Sequence, residues 1–496
     1  MGGYLLSNIQ DKIVRMAKLR DPLLLIILLA SLLLGASVLT RGHEWGDDFA
    51  SYIMQAQSIL NGNMDEFVEH NAFTVFESSI QIGPVAYPWG YPLVLTPVLL
   101  LKGVHELALK LPGLMFFAGF LICFYLLIET RLTRTESLLL VSLFAFNPTL
   151  IKFLDLINSD IPFLFTTFLV LLLTAELNKT QRTEMSILLG VAIFLAFFFR
   201  TTGIILLAGF LAYQALAFIR DQSKRRGTVV NTIAVVGVFS LPWVISSLIF
   251  PDGQVSYFQQ LAGFTAVSLL QNIHDYFYLF VQFFGVNVIW TYVYYFLIIL
   301  FLIGAWSQRN KDQMFIIFFV LYFAVMLIWP EWQGIRFIFP LIPIFIYFAF
   351  QGVKAVIKLL PETYHPFARW INYALWIALV GIFLLTSGTR AYTNLKNDRK
   401  INGPFDSFSD EMFEYIKKET PSDSVIVFFK PRAMRLFTDR DSIMSVECDR
   451  LLLGDYVVLH KNWEYSQILP NEIGNCNLPL NEVFENRRYI VYEIQK

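Results

Sequence analysis

Two adjacent carboxylates, Asp47 and Asp48, stand in "RGHEWGDDFASYIMQAQSILNG", directly after the first long apolar run of the chain. A carboxylate within hydrogen-bond reach of a hydroxyl can take its proton as that oxygen attacks an electrophile, so the pair is a candidate for general-base chemistry. A helix N-cap explains one aspartate, because Asp accepts from the first backbone N–H groups and suits the positive end of the helix dipole. Two are harder to explain. A capping box is missing, since Ala50 and Ser51 stand where Glu or Gln is required. Asp155 and Asp160 lie in "DLINSDIPFLF", where Asp160 and Pro162 serve either as ordinary helix-start chemistry or, for Asp160, as an acidic site residue. Arg336, in "WPEWQGIRFIFPLIPIF", sits beside Trp329 and Trp332. It reads as an interfacial belt with a snorkelling Arg or as an anion site, and Arg200 in "FFFRTTG" carries the same two readings. His43, Glu44 and Asp47 form a weak candidate set for a divalent metal, with a spacing that matches no specific motif.

The elements that hold these residues are dictated by composition. The 496 residues are 56% hydrophobic and only 16% charged, against roughly 25% in soluble domains. This is the balance of a membrane protein, and a net charge of -1 gives no cue to a nucleic-acid partner. Apolar runs near 22–40, 107–129, 137–153, 160–177, 186–199, 203–219, 229–249, 286–306, 314–330, 335–350 and 370–387 predict an all-α polytopic protein with about 11 transmembrane helices. The pair 186–199 and 203–219, interrupted by "RTTG", reads as two spans or as one kinked element. The first run is long for a signal peptide, and "HEWGDD" is a poor cleavage site, so it is kept as an uncleaved span. Lys12, Arg15, Lys18 and Arg20, then Arg131 with Arg134, Lys179 with Arg182, Lys224 to Arg226, Arg309 with Lys311, and Lys354 with Lys358 fall in alternate loops. Those loops are cytoplasmic by the positive-inside rule, which puts the N-terminus inside and the residues from about 388 onward outside.

The first outer loop, 41–106, contains an amphipathic helix after Asp48, ending at Gly62 and expected to lie along the membrane surface. Asp48 and Tyr52 share one of its faces. "YPWGYPLVLTPVLLLKG" follows, with prolines that suit a re-entrant or surface-lying helix, and the uncharged aromatic segment 250–285 reads as a lid on the bilayer. The tail, 388–496, alternates helix ("SDEMFEYIKKET", "PRAMRLFTD") with strand ("DSVIVFF", "DYVVLH", "RRYIVYEI"), which predicts a small extracytoplasmic α/β domain. Cys448 and Cys476 lie in it and can pair if it faces an oxidising compartment, whereas Cys123 is an inert thiol in an apolar run. The motif "NKT" at 178–180 falls on the inner side, which favours a bacterial inner membrane over an endoplasmic reticulum.

An Asp-Asp pair after the first span with a Tyr four residues on, "YPWGYP", "SDIP" at the fourth span and "RFIFPLIP" before a polar C-terminal region together resemble the glycosyltransferase C superfamily, in its aminoarabinose transferase and protein O-mannosyltransferase branch. The resemblance implies inverting transfer of a sugar from a polyprenyl-phosphate donor to a glycan, lipid or protein acceptor outside the cytoplasm. By it, Asp48 takes the place of the catalytic carboxylate, with Asp47 one step away, and Asp160 matches the second acidic residue. Arg336 resembles the family's basic residue at the outer mouth, with contact to the lipid phosphate as its role; independently of the resemblance, Arg200 is a second candidate for that phosphate on the same face, and Tyr52, Tyr87, Trp89 and Tyr91 are candidates to line the substrate pocket. The Asp-Asp pair replaces the commoner Asp-Glu, and "AYPWGYPL" lacks the Lys of the aminoarabinose branch. Three other functions remain open: a transporter or flippase of lipid-linked saccharide, an O-antigen-type polymerase or ligase, and a noncatalytic scaffold.

Overall fold

The computed structural model describes residues 21–80, 82–253, 265–329 and 334–495. Helix α1 is Pro22–Val38, N-capped by the Asp21 side chain. The first loop then builds α2 (Asp48–Asn61), α3 (Met64–Glu77) and α4 (Gly90–Lys102) before α5 (Glu106–Ile128). Next come α6 (Arg134–Ala145), α7 (Pro148–Phe153), α8 (Asp160–Thr180), α9 (Thr183–Phe199), α10 (Ile204–Arg220) and α11 (Arg225–Ile249). The bundle closes with α12 (Ala266–Leu279), α13 (Val288–Gln308), α14 (Gln313–Ile328), α15 (Ile342–Ile357) and α16 (His365–Lys396). Among the described residues six helices are long and apolar enough to cross a membrane, and α1, α4, α9, α14 and α15 are shorter apolar helices. The chain is therefore an integral membrane protein, with a lower count of full-length spans than the sequence predicts.

Two spans differ from expectation for local reasons, and an ambiguity over a third pair is resolved. The run 137–153 is broken between α6 and α7, because the Asn147 side chain accepts from Thr149 and Leu150 N–H and Pro148 starts a new helix. The run 335–350 starts late: Ile335–Ile338 is a single 3-10 turn and α15 begins at Ile342. At "RTTG" the chain reverses so tightly that a Cβ on Gly203 would fall on the backbone of Ala196 and Phe197. The pair is two helices and not one kinked element. The expected lid 250–285 and the Trp332 position lie partly or wholly outside the described residues; within the former, α12 and a 3-10 turn, Phe280–Phe283, are present.

Basic loops gather at one end of the bundle. Arg131 pairs with Asp312 at 2.6 Å, Arg134 with Asp21 and Lys354 with Glu136 at 2.8 Å, so the loops assigned to one side by charge do meet each other. The other end lies ~27 Å away along α5 by helix rise. There Lys110 Nζ donates to the Thr40 and Gly42 carbonyls and to Asp155, which in turn accepts from Thr40 N–H. A lone Lys in an apolar helix thereby has an acceptor for each of its three N–H donors, and Asp155 is tied to the exit of α1.

Beyond α16 lies a five-stranded sheet in the order β2-β1-β3-β5-β4. Its strands are β1 (Val425–Phe428), β2 (Asp441–Ile443), β3 (Tyr456–His460), β4 (Leu480–Glu485) and β5 (Tyr489–Ile494), with α17 (Ser407–Glu419), α18 (Pro431–Thr438) and α19 (Cys448–Leu451) between them. β1 pairs in parallel with β2 and β3, and β5 runs antiparallel to both β3 and β4. Period-two alternation sends Ile426 and Phe428 into one core with Met412, Phe413 and Ile416, and Val427 into a second core with Ile443 and Val457. Two strands, β2 and β4, are not in the sequence reading: one is three residues long and the other is a largely exposed edge. Cys448 and Cys476 form a disulfide.

Candidate active site

Helix α2 places the site, and it does so from a buried position. Phe49, Ala50, Tyr52, Ile53 and Ala56 pack in one cluster with Tyr91, Leu95 and Leu99 of α4, Phe199 of α9 and Ala433 of α18. The helix is not covered on its apolar face alone, because its polar face is covered as well. Ser51 and Gln55 are fully buried, and Gln55 exchanges two hydrogen bonds with the Tyr87 backbone, at 2.9 and 3.2 Å. The helix ends at Gly62, whose φ of 72° is the left-handed conformation that glycine adopts at little cost. Its first residue is Asp48.

Asp48 is held on both oxygens. Oδ1 accepts from the Tyr87 hydroxyl at 2.6 Å and Oδ2 from an Arg336 guanidinium nitrogen at 2.6 Å. The 3-10 turn Ile335–Ile338 brings Arg336 there, immediately after Gly334 at φ 70°. Burial by itself pushes the Asp48 carboxyl up, but Arg336, the Tyr87 hydroxyl and the more distant Arg432 reverse that and hold it well below the usual carboxylate range. Asp48 is thus ionised at neutral pH, with 29% of its side chain exposed to the cavity.

A second acid–base pair stands beside the first. Asp160 opens α8, is 2% exposed and forms a buried ion pair with Arg200, the residue that ends α9. The Arg200 guanidinium also lies over the Phe337 ring at 4.3 Å, and Arg336 approaches the same ring at 5.7 Å. Tyr52 bridges the two pairs: its hydroxyl is 2.9 Å from Ser159 Oγ, and its ring is 4.7 Å from that of Tyr87. Asp47, Asp48, Tyr52, Tyr87, Asp160, Arg200 and Arg336 line one cavity of about 570 Å³, within the size range of small-molecule sites.

Trp89 and Tyr91 do not line it. Tyr91 is buried behind Tyr52, ring to ring at 5.0 Å, and acts as a buttress. Trp89 faces a neighbouring apolar groove, donates to the Pro251 carbonyl at 3.2 Å and stacks on Phe250. That groove, about 850 Å³, shares Pro84, Tyr87, Pro88, Thr201, Thr202 and Trp329 with the cavity.

Asp47 stands one residue before the helix. It occupies the N-cap position of α2 but makes no side-chain capping bond. Its carboxyl turns toward the start of α18, where the Arg432 N–H and the charges of Lys430 and Arg432 offset only part of the burial that raises its pKa. One of its oxygens, Oδ1, is buried with no hydrogen-bond partner. The metal candidates do not converge. His43 Nε2 accepts from Ile157 N–H at 3.0 Å while Nδ1 bonds the Glu44 carbonyl at 2.7 Å, so both ring nitrogens are taken. Glu44 pairs with Lys152, and among the described residues no three His, Cys, Asp or Glu side chains gather.

Sequence reasoning missed the contribution of the C-terminal sheet domain. Arg432 is fully buried, donates to Asn71 Oδ1 at 3.3 Å and to the Pro84 carbonyl, and lies over the Tyr87 ring at 5.6 Å. It therefore fixes the residue that bonds Asp48. Lys430, Met444 and Ser466 of the same domain line the cavity. The available signal was "KPRAMRLF", a basic pair opening an otherwise amphipathic helix.

Comparison with known proteins bears on the architecture. Residues 86–250 match the dolichyl-phosphate-mannose-protein mannosyltransferase family. No curated protein matches the chain in sequence. The Archaeoglobus fulgidus oligosaccharyltransferase, solved in the apo form, superposes with a TM-score of 0.60 at 12% identity, over 88% of this chain and 69% of that one. ArnT from Cupriavidus metallidurans gives a TM-score of 0.56 at 12% identity, over 94% of this chain and 97% of that one, both apo and bound to undecaprenyl phosphate. The archaeal oligosaccharyltransferase AglB, also from Archaeoglobus fulgidus, in complex with an inhibitory peptide and a dolichol-phosphate, gives 0.56 at 11% identity over 89% and 70%. The fold of this chain is that of the glycosyltransferase C superfamily, as its motifs suggest.

Proposed function

We propose that the protein transfers a sugar, with inversion, from a polyprenyl-phosphate donor to an acceptor hydroxyl on the extracytoplasmic face of the membrane, with Asp48 as general base. One observation carries this reading: a carboxylate gripped by Tyr87 and Arg336 stands in a polar cavity that shares a wall with an apolar groove. The groove suits an isoprenoid tail and the guanidiniums suit its phosphate. ArnT bound to undecaprenyl phosphate and AglB bound to dolichol-phosphate, of the same fold, support a lipid-phosphate ligand.

The chemistry runs as follows. The acceptor oxygen attacks the anomeric carbon from the side opposite the phosphate, and the carbon–oxygen bond to phosphate breaks with its electron pair staying on the phosphate oxygen. The hydroxyl proton passes to Asp48. Charge growing on the leaving phosphate is stabilised by Arg336, with Arg200 behind it, more than the ground state is. At rest Arg336 keeps Asp48 a weak base; as the guanidinium turns to the donor phosphate, the carboxylate regains basicity. One inversion needs one base and no covalent intermediate, and the two guanidiniums supply positive charge at the phosphate.

Orientation is part of the same proposal. The cavity lies at the end opposite the Arg131, Arg134 and Lys354 ion pairs. With the basic end cytoplasmic, the site and the domain at 388–496 face outward, into the periplasm if the membrane is a bacterial inner membrane.

Purified protein given a radiolabelled polyprenyl-phosphate sugar and an extract of acceptors is expected to form labelled product. Asp48→Asn is expected to lower transfer about 10²- to 10⁴-fold with thermal stability nearly intact. Arg336→Ala is expected to raise the donor KM. Full activity in Asp48→Asn rejects the base, and label that crosses proteoliposomes without product makes the protein a transporter.

A further inference from the structure

The cavity has two unlike walls. Tyr87 and Trp329 line both the cavity and the groove. On the other side stand Trp45, Asp47, Lys430 and Ser466, none of which lines the groove. If a lipid-phosphate donor enters from the groove, the second wall meets the other substrate.

That wall is built for binding. The Asp47 side chain is more than nine-tenths buried, lines the cavity and carries an oxygen with no partner. Lys430 lies near enough to Asp47 to act on its charge, lines the cavity and stands just before α18. The Trp45 indole is held edge-on by Phe413, Phe428 and Phe429 at 6.5, 5.8 and 5.0 Å, which fixes its plane. Ser466 holds a left-handed backbone at φ 63°, an uncommon conformation for a residue with a Cβ, in the loop that completes the wall.

A fixed aromatic ring, a carboxyl and an ammonium together match one ligand chemistry. A pyranose presents an apolar face of C–H groups to an aromatic plane, and hydroxyls at its rim that donate to a carboxyl and accept from an ammonium. A peptide or an acyl chain offers no comparable ring of hydroxyls. We propose that the acceptor is a glycan, whose accepting sugar lies against Trp45 with its hydroxyls held between Asp47 and Lys430. This rests on the transferase reading above. Here Trp45, Asp47 and Lys430 orient the hydroxyl toward Asp48 and take no part in bond making, so they are positioning residues.

The test separates the two readings. Fluorescently labelled full-length protein in nanodiscs is applied to an array of neutral oligosaccharides, and polyprenyl phosphate binding is measured by titration on the same preparations. The expected result is that wild type is retained on a subset of the oligosaccharides, and that Trp45→Ala and Lys430→Ala lower retention at least tenfold with polyprenyl phosphate affinity unchanged. Lys430→Arg, which keeps the charge, is expected to restore part of the retention. Wild type that binds no oligosaccharide, or variants that bind as well as wild type, overturns the glycan site. Wild type that binds oligosaccharide but no polyprenyl phosphate leaves the glycan site standing and sinks the donor assignment instead.

Discussion

His43 is locked as a neutral ring. Burial lowers its pKa to about 3, with the Glu44 carbonyl opposing the shift and Lys110 adding to it. The unfolded ring titrates near 6.5, so below that pH the unfolded chain takes up a proton that the folded chain refuses. Stability is full above pH 6.5 and falls by about 1.4 kcal/mol per pH unit as pH drops toward 3, roughly 2 kcal/mol by pH 5. Asp47 works in the opposite sense: burial raises its pKa, so its contribution is complete in acid and is lost as pH rises through the raised value. Melting temperatures between pH 7.5 and 5 check the histidine. Wild type is expected to lose stability on acidification, and His43→Asn, less stable at neutral pH, to show a flatter profile; equal slopes reject the assignment. At this scale the sequence was informative about which residues meet and poor about what each does. Asp48, Asp160, Arg200 and Arg336 announce themselves as charges at the ends of apolar runs. That Asp47 faces a helix hundreds of residues away depends on tertiary contact, which no local pattern encodes.

Helix pairs in the bundle are set by small residues as much as by apolar ones. A methyl on Gly304 of α13 would collide with the Phe348 carbonyl of α15, and one on Gly352 of α15 with the Leu300 carbonyl of α13. The two glycines let these backbones touch along their length, the device expected where lipid offers no hydrophobic drive for association. Gly304→Ala and Gly352→Ala are each expected to destabilise by about 1–3 kcal/mol, since the helices must part to admit the methyl. A drop in the aggregation temperature in detergent, with helical circular dichroism retained at low temperature, is the readout; an unchanged temperature means that the pair separates freely. Long apolar runs made most of these helices legible, and the cap and Pro at Asn147 and Pro148 explain why 137–153 misled. The burial of α2 was hidden for another reason. Its alternation of Ile53 and Ala56 with Gln55 and Ser58 is what a surface helix shows, and only the packing of α4 and α18 over it reveals two partners.

The whole molecule is two architectures sharing one site. Asn394 and Arg399, at the end of α16 and just beyond, donate to the free carbonyls of Ala36, Ser37 and Leu39 at the end of α1. Gly403 lies so close to the His43 carbonyl that a Cβ has no room, and Ala433 enters the core of the first loop. A chain stopped after Lys396 is expected to reach the membrane but to show no transfer. It lacks Arg432 over Tyr87 and the Lys430 wall, and fractionation followed by the radiolabel assay reads both outcomes. Full transfer by that fragment would show the last domain to be dispensable. The sequence made the existence of this domain plain through its shift to alternating strands, yet gave no hint that it forms part of the cavity.

The bond from Arg432 to Asn71 spans 361 residues of chain. At ~5–20 residues added per second, Asn71 is made roughly 20–70 s before its partner emerges. During that interval the first loop is without its cover, its acids and tyrosines unassembled. Translation itself thus sets the order of events: insertion comes first, and competence arrives only with the last fifth or so of the message.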